Sequence, residues 1–216
     1  MDSTANLAAS RRTQWIVGSV LAVIVALIAV SFARQESRRP AGPALPIIGG
    51  VHEFQLTNQL GAAVTLADLH GKVWIANVIF TRCPGPCLTM SRQLAGLAGR
   101  LPGGDETHIV TLTIDPEFDT PAVLARYAGK LGGDTSRWWF LTGAPRELRR
   151  LSVDDLKFVA VDKEAKEQQS TDDLFIHSTY FMVVDRRGRL RSVIESVEPG
   201  ANEKTLSIIS QLLAEP

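Results

Sequence analysis

Cys83 and Cys87 are the only cysteines in the 216-residue chain, and both stand in one pentapeptide, Cys83-Pro84-Gly85-Pro86-Cys87. Two sulfurs four positions apart can close a disulfide, hold a soft metal ion as thiolates, act as nucleophile and resolving partner, or pack as small buried hydrophobes. Placement weakens the last reading. The apolar run of residues 73–80 ends at Phe80, and helical patterning begins at about Pro86. Cys83 is therefore expected in an exposed turn and Cys87 in the first turn of a helix. A helix N-terminus stabilises anions, so thiolate character is expected at both sulfurs. Pro84 and Pro86 stiffen the turn.

The flanking elements follow from periodicity. Residues 73–80 and 107–114 are short apolar or β-branched runs bounded by turn signals, and both read as buried strands. Between them, Leu88, Leu94, Leu97, Ala98 and Leu101 fall on roughly one helical face, which Pro102-Gly103-Gly104 ends. A second helix is expected from Pro121 to Leu131 with Thr120 as its N-cap. Strands at 138–143 and 157–161 with a short helix at 145–151 between them come next, then an exposed polar excursion at 162–175. Strands at 178–185 and 189–194 flank the hairpin signal Arg186-Arg187-Gly188, and a helix over 201–213 closes the chain. Alternating strands and helices make an α/β domain with a mixed central sheet.

Residues 15–33 carry no charge and no proline and span about 28 Å as a helix, enough to cross a bilayer. The run exceeds the apolar core of an ordinary signal peptide, so it is read as an uncleaved transmembrane anchor. Arginines on both sides leave its orientation open to the charge rule. The expected organisation is a tail over 1–14, the anchor over 15–33, a Pro/Arg-rich linker over 34–47 and one domain over 48–216. Beyond Ala33, 21 Lys and Arg face 22 Asp and Glu, a balance with no basic stripe that points away from nucleic acid.

Strand, cysteine turn, helix, strand is how a thioredoxin-like fold presents its cysteines, although thioredoxins space them one residue closer. Thr81-Arg82-Cys83-Pro84-Gly85-Pro86-Cys87 instead resembles the turn of the SCO/SenC family (synthesis of cytochrome c oxidase), departing from its pattern at Leu88, where the family has proline. The Asp115-Pro116…Asp119-Thr120-Pro121 stretch, the Trp138…Leu141-Thr142-Gly143 strand and the His177-Ser178 segment resemble further family motifs, in the same order.

The resemblance implies a thioredoxin-like copper protein in which Cys83, Cys87 and His177 bind one copper ion. Two thiolates suit Cu(I), and an added imidazole suits Cu(II); a closed zinc site would want a fourth strong ligand. It also implies assistance to copper-site assembly in a terminal oxidase, with the oxidase's copper-accepting subunit as partner and an upstream copper donor or thiol reductant behind it. Alternatively the cysteine pair is a thiol:disulfide reductase for that same target, or a copper or redox sensor. The implied location is the bacterial inner membrane, single-pass, with the domain in the periplasm. Asp119 is either near the metal, by similarity, or a helper in capping the helix at Thr120, which carboxylate chemistry favours; Asp115 is read as opening a turn. Leu88 is expected to loosen the first helical turn. His52, His70 and His108 are read as structural, and one of Trp138 and Trp139 as core.

Overall fold

The computed structural model describes residues 44–132, 136–158 and 179–215, together with Leu21, Ile24, Val25, Leu27 and Ile28. The chain divides into two compact units, Met1–Gly42 and Pro43–Pro216. The five described residues of the first unit are helical with exposed apolar side chains. Among the described residues no helix is long and apolar enough to cross a membrane, and most of the expected anchor, 15–33, lies outside them.

In the second unit the strands are β1 Gly49–Gly50, β2 Gln55–Asn58, β3 Ala63–Thr65, β4 Val73–Ile79, β5 Thr107–Thr113, β6 Trp138–Thr142, β7 Tyr180–Val184 and β8 Arg189–Glu195. The α-helices are α1 Pro86–Ala98, α2 Pro121–Leu131, α3 Pro145–Arg149 and α4 Ala201–Ala214. The strands form one mixed sheet in the order β1-β8-β7-β4-β5-β6-β2-β3. The centre, β4-β5-β6, is parallel, and every other pairing is antiparallel. Parallel neighbours need crossover connections, which α1 and α2 supply.

Burial on both faces explains why β4 and β5 read as continuous apolar runs. Val73, Ile75 and Ile79 of β4 join a core with Leu94 and Leu97 of α1, Leu124 of α2 and Ile209 of α4. Trp74, Ala76 and Val78 join the opposite core with Leu66, Leu148 and Phe158. Trp138 is the core tryptophan, stacked 4.9 Å from Phe140, while half-buried Trp139 meets the edge of His108 at 4.8 Å.

Three features differ from the expectations. The region 49–65 carries three short antiparallel strands, and α3 continues as π-helix over Arg150–Asp155. The strand expected at 157–161 is absent at Lys157 and Phe158: Lys157 has φ +65°, and Phe158 is buried as a core plug rather than paired in a ladder. Residues 159–161 and the polar excursion 162–175 lie outside the described residues.

Candidate metal centre

The cysteine turn leaves the C-terminal end of β4, at the rim where all three parallel strands end. Cys83 N–H donates to the Phe80 carbonyl at 3.1 Å, closing a four-residue turn. Gly85 is the N-cap of α1 with Pro86 at its first position, so Cys87 sits in the first turn as expected. Leu88 is the third helical residue, where a backbone N–H has no acceptor inside the helix. Helical geometry therefore tolerates leucine or proline there, and the first turn forms with leucine in place.

The sulfurs are adjacent but differ in environment. Cys83 is half-buried, Cys87 is buried, and no disulfide joins them. Cys87 N–H donates to Cys83 Sγ at 3.4 Å, and the Cys87 thiol hydrogen-bonds the same sulfur. That bond to Cys83, followed by burial, pushes the Cys87 thiol far above its ordinary pKa. The expectation of thiolate character at both positions is therefore corrected: the N-terminal field of α1 does not outweigh these effects at Cys87, and donors converge on Cys83 instead.

Asp119 does not cap α2. That bond comes from Thr120, whose Oγ1 accepts from Val123 N–H at 3.4 Å. Asp119, fully buried, accepts from Thr81 N–H at 3.0 Å, from the Thr81 hydroxyl, and from the Thr113 hydroxyl at 2.6 Å. Burial raises its pKa, against the lowering effect of those bonds. The carboxylate thus ties the first residue of the cysteine turn to the end of β5. Sequence reasoning missed this brace, because no local spacing links residues 81 and 119.

Asp115 accepts from Arg82 Nη2 at 2.6 Å, and the Arg82 guanidinium lies 4.4 Å from the Phe118 ring centroid. Arg82, beside Cys83, is thereby held by an ion pair and a cation–π contact. Deeper in, the Tyr127 hydroxyl donates to Ser91 Oγ at 3.0 Å. Burial chiefly, with the potential of both cysteines adding, pushes its pKa up to about 12.

Of the three metal ligands expected from the sequence, the fold brings Cys83 and Cys87 together, and His177 lies outside the described residues. Among the described residues no cluster of three His, Cys, Asp or Glu side chains could hold a metal ion. The remaining histidines lie elsewhere: His52 Nδ1 pairs with Asp155 at 2.7 Å, and His108 packs under Trp139. The sulfur pair suits a soft ion such as Cu(I), and Asp119, saturated by threonine donors, is not offered as a ligand.

The family model described as SCO1/SenC matches residues 49–214. A SCO1 protein homolog of Bacillus subtilis is 29% identical over 155 residues, covering 71% of this chain and 77% of its own. BsSco, a member of the Sco family of cytochrome c oxidase assembly proteins in which a disulfide switch was identified, has a structure similar at TM-score 0.67 and 27% identity. That match covers 79% of this chain and 98% of BsSco. Copper-bound ScoI of Bradyrhizobium japonicum shares the fold at TM-score 0.63 and 24% identity, covering 76% and 99% of the two chains.

Proposed function

Because the chain belongs to the SCO1/SenC family, we propose that it is a membrane-anchored copper carrier that delivers copper to the copper-accepting subunit of a terminal, cytochrome c-type oxidase. The observation that carries this reading is the pair of adjacent sulfurs at the N-terminus of α1, one half-buried and one buried. His177 supplies the third ligand in this account. Two thiolates and one imidazole leave copper low-coordinate, so an acceptor thiolate can bond to the ion before a donor bond breaks. Copper is cargo here, and loading it displaces the proton that Cys87 otherwise keeps. The relation of BsSco to cytochrome c oxidase assembly supports the target class. In this reading residues 15–33 hold the domain on the periplasmic side of a bacterial inner membrane, with an upstream copper donor.

The unequal burial of the cysteines also favours a second reading, thiol:disulfide reduction of the same target, as does the disulfide switch of BsSco. Cys83 thiolate attacks one sulfur of the target disulfide and breaks its S–S bond, and the released target thiolate takes a proton. Cys87 then attacks Cys83, forming the Cys83–Cys87 disulfide and freeing the second target thiol. An upstream dithiol resets the pair.

Complementation separates the two. In a host lacking its own copy, His177→Ala should lose at least about tenfold of copper-dependent oxidase activity if copper is carried, like Cys83→Ser and Cys87→Ser. Full activity of His177→Ala beside inactive cysteine variants would move reduction to first place.

A further inference from the structure

Closing a Cys83–Cys87 disulfide requires the two sulfurs to move from hydrogen-bond contact to covalent distance, and both sides of the turn resist that approach. On the Cys83 side, Pro84 and Pro86 fix the backbone. On the Cys87 side the restraint comes from α2. Ser91 lies one turn beyond Cys87 on the same face of α1, is fully buried, and its Oγ accepts from the Tyr127 hydroxyl at 3.0 Å. The hydroxyls of Thr205 and Ser210 in α4 turn back to the carbonyls four residues earlier, the ordinary course for a helical hydroxyl. Ser91 is engaged from another helix instead.

Tyr127 is itself held. It packs against the core that contains Cys87, with Cys83 at the margin of that core, and meets Phe140 edge-on at 6.1 Å. Burial first, with the potential of both cysteines adding, pushes its phenol up to about 12, so it stays a donor. Gln93 fastens the middle of α1 to the Ser196 carbonyl and to Asn202 of α4, and Arg137 fastens its end through the Ala98 carbonyl. The Tyr127–Ser91 bond fastens the end that bears Cys87.

We infer that Tyr127 is a positioning residue of the sulfur pair: through Ser91 it holds the first turns of α1 on α2, keeps Cys87 back from Cys83, and so favours the dithiol over the disulfide. The inference rests on the proposed use of that dithiol, the form that takes up copper or reduces a target disulfide. In the oxidising compartment of that reading, the restraint preserves the working form.

The test equilibrates the metal-free full chain in detergent with mixtures of oxidised and reduced dithiothreitol. Two electrons and two protons pass from Cys83 and Cys87 to oxidised dithiothreitol as the protein S–S bond forms and the reagent's S–S bond breaks. Remaining protein thiols are capped with a maleimide and counted by mass. Tyr127→Phe keeps the ring and removes the hydroxyl. It should raise the equilibrium constant for disulfide formation about tenfold, a midpoint about 30 mV more negative, the size expected when one hydrogen bond no longer favours one state. Ser91→Ala should do the same and carries the test by itself if Tyr127→Phe does not fold. The double variant should shift no further than either single variant. A bond that only held the fold would change the unfolding of the oxidised and reduced forms alike and leave the midpoint in place. Unshifted midpoints, shifts to more positive values, or single shifts that add in full in the double variant would overturn the inference. Copper stoichiometry is measured separately on the parent, so failure of the copper reading and failure of the restraint are distinguishable.

Discussion

At the scale of single residues, the site depends on an asymmetry between two identical side chains. Cys83 collects the Cys87 N–H and thiol as donors, and Cys87, buried behind it, keeps its proton. The brace under this arrangement is Asp119, whose carboxylate holds Thr81 two residues ahead of Cys83. Asp119→Ala leaves buried hydroxyls and an N–H without acceptors. It should cost about 2–4 kcal/mol in denaturant unfolding, and Asp119→Asn, which keeps one amide oxygen, should cost less. Equal stability of parent and Asp119→Ala would show that the turn does not depend on this carboxylate.

At the scale of elements, the central strands do two jobs: they build two cores and end together at the rim that holds the cysteine turn. His108 on β5 marks the tension in such a sheet, since its ring is buried beside Trp139 with Nδ1 unpartnered. Burial first, then Lys72 and Arg137, lower its pKa from 6.5 to about 4. A histidine that resists protonation when folded stabilises the fold above pH 6.5, and that stability is lost as pH falls toward 4. The loss should reach about 3 kcal/mol by pH 4 in chemical denaturation, and His108→Phe should flatten this part of the profile. A parent profile as flat as that of His108→Phe would contradict the assignment. The buried strands, α1, α2, α4 and the β7–β8 hairpin were legible because each carries a long periodic run or a sharp turn signal. Strands β2 and β3 were not, being only four and three residues long. Gly61, with φ +79° in the turn that Asn58 closes, is the signal that marks their hairpin. Phe158 misled in the other direction: its apolar neighbours imitate a strand, while its burial comes from packing after a π-helical turn. The sulfur pair was legible from spacing alone; the Asp119 brace and the Arg82 contacts with Asp115 and Phe118 were not, because both join residues that only the fold brings together.

At the scale of the whole molecule, Arg191 gathers the ends of the second unit. Its buried guanidinium donates to the carbonyls of Leu45 and Pro46, to Asp185 at the β7–β8 turn and to both oxygens of Glu215. A buried cation with this many acceptors is fully compensated, and it fixes the point where the chain enters the unit next to the point where it ends. Copper binding at Cys83, Cys87 and His177 is read out by the copper stoichiometry and Cu(II) absorption spectrum of the reduced full chain in detergent, beside His177→Ala. One copper per chain is expected, with a thiolate-to-copper charge-transfer band that His177→Ala weakens or removes. No copper retained by the reduced parent, or a spectrum indifferent to His177, would contradict it.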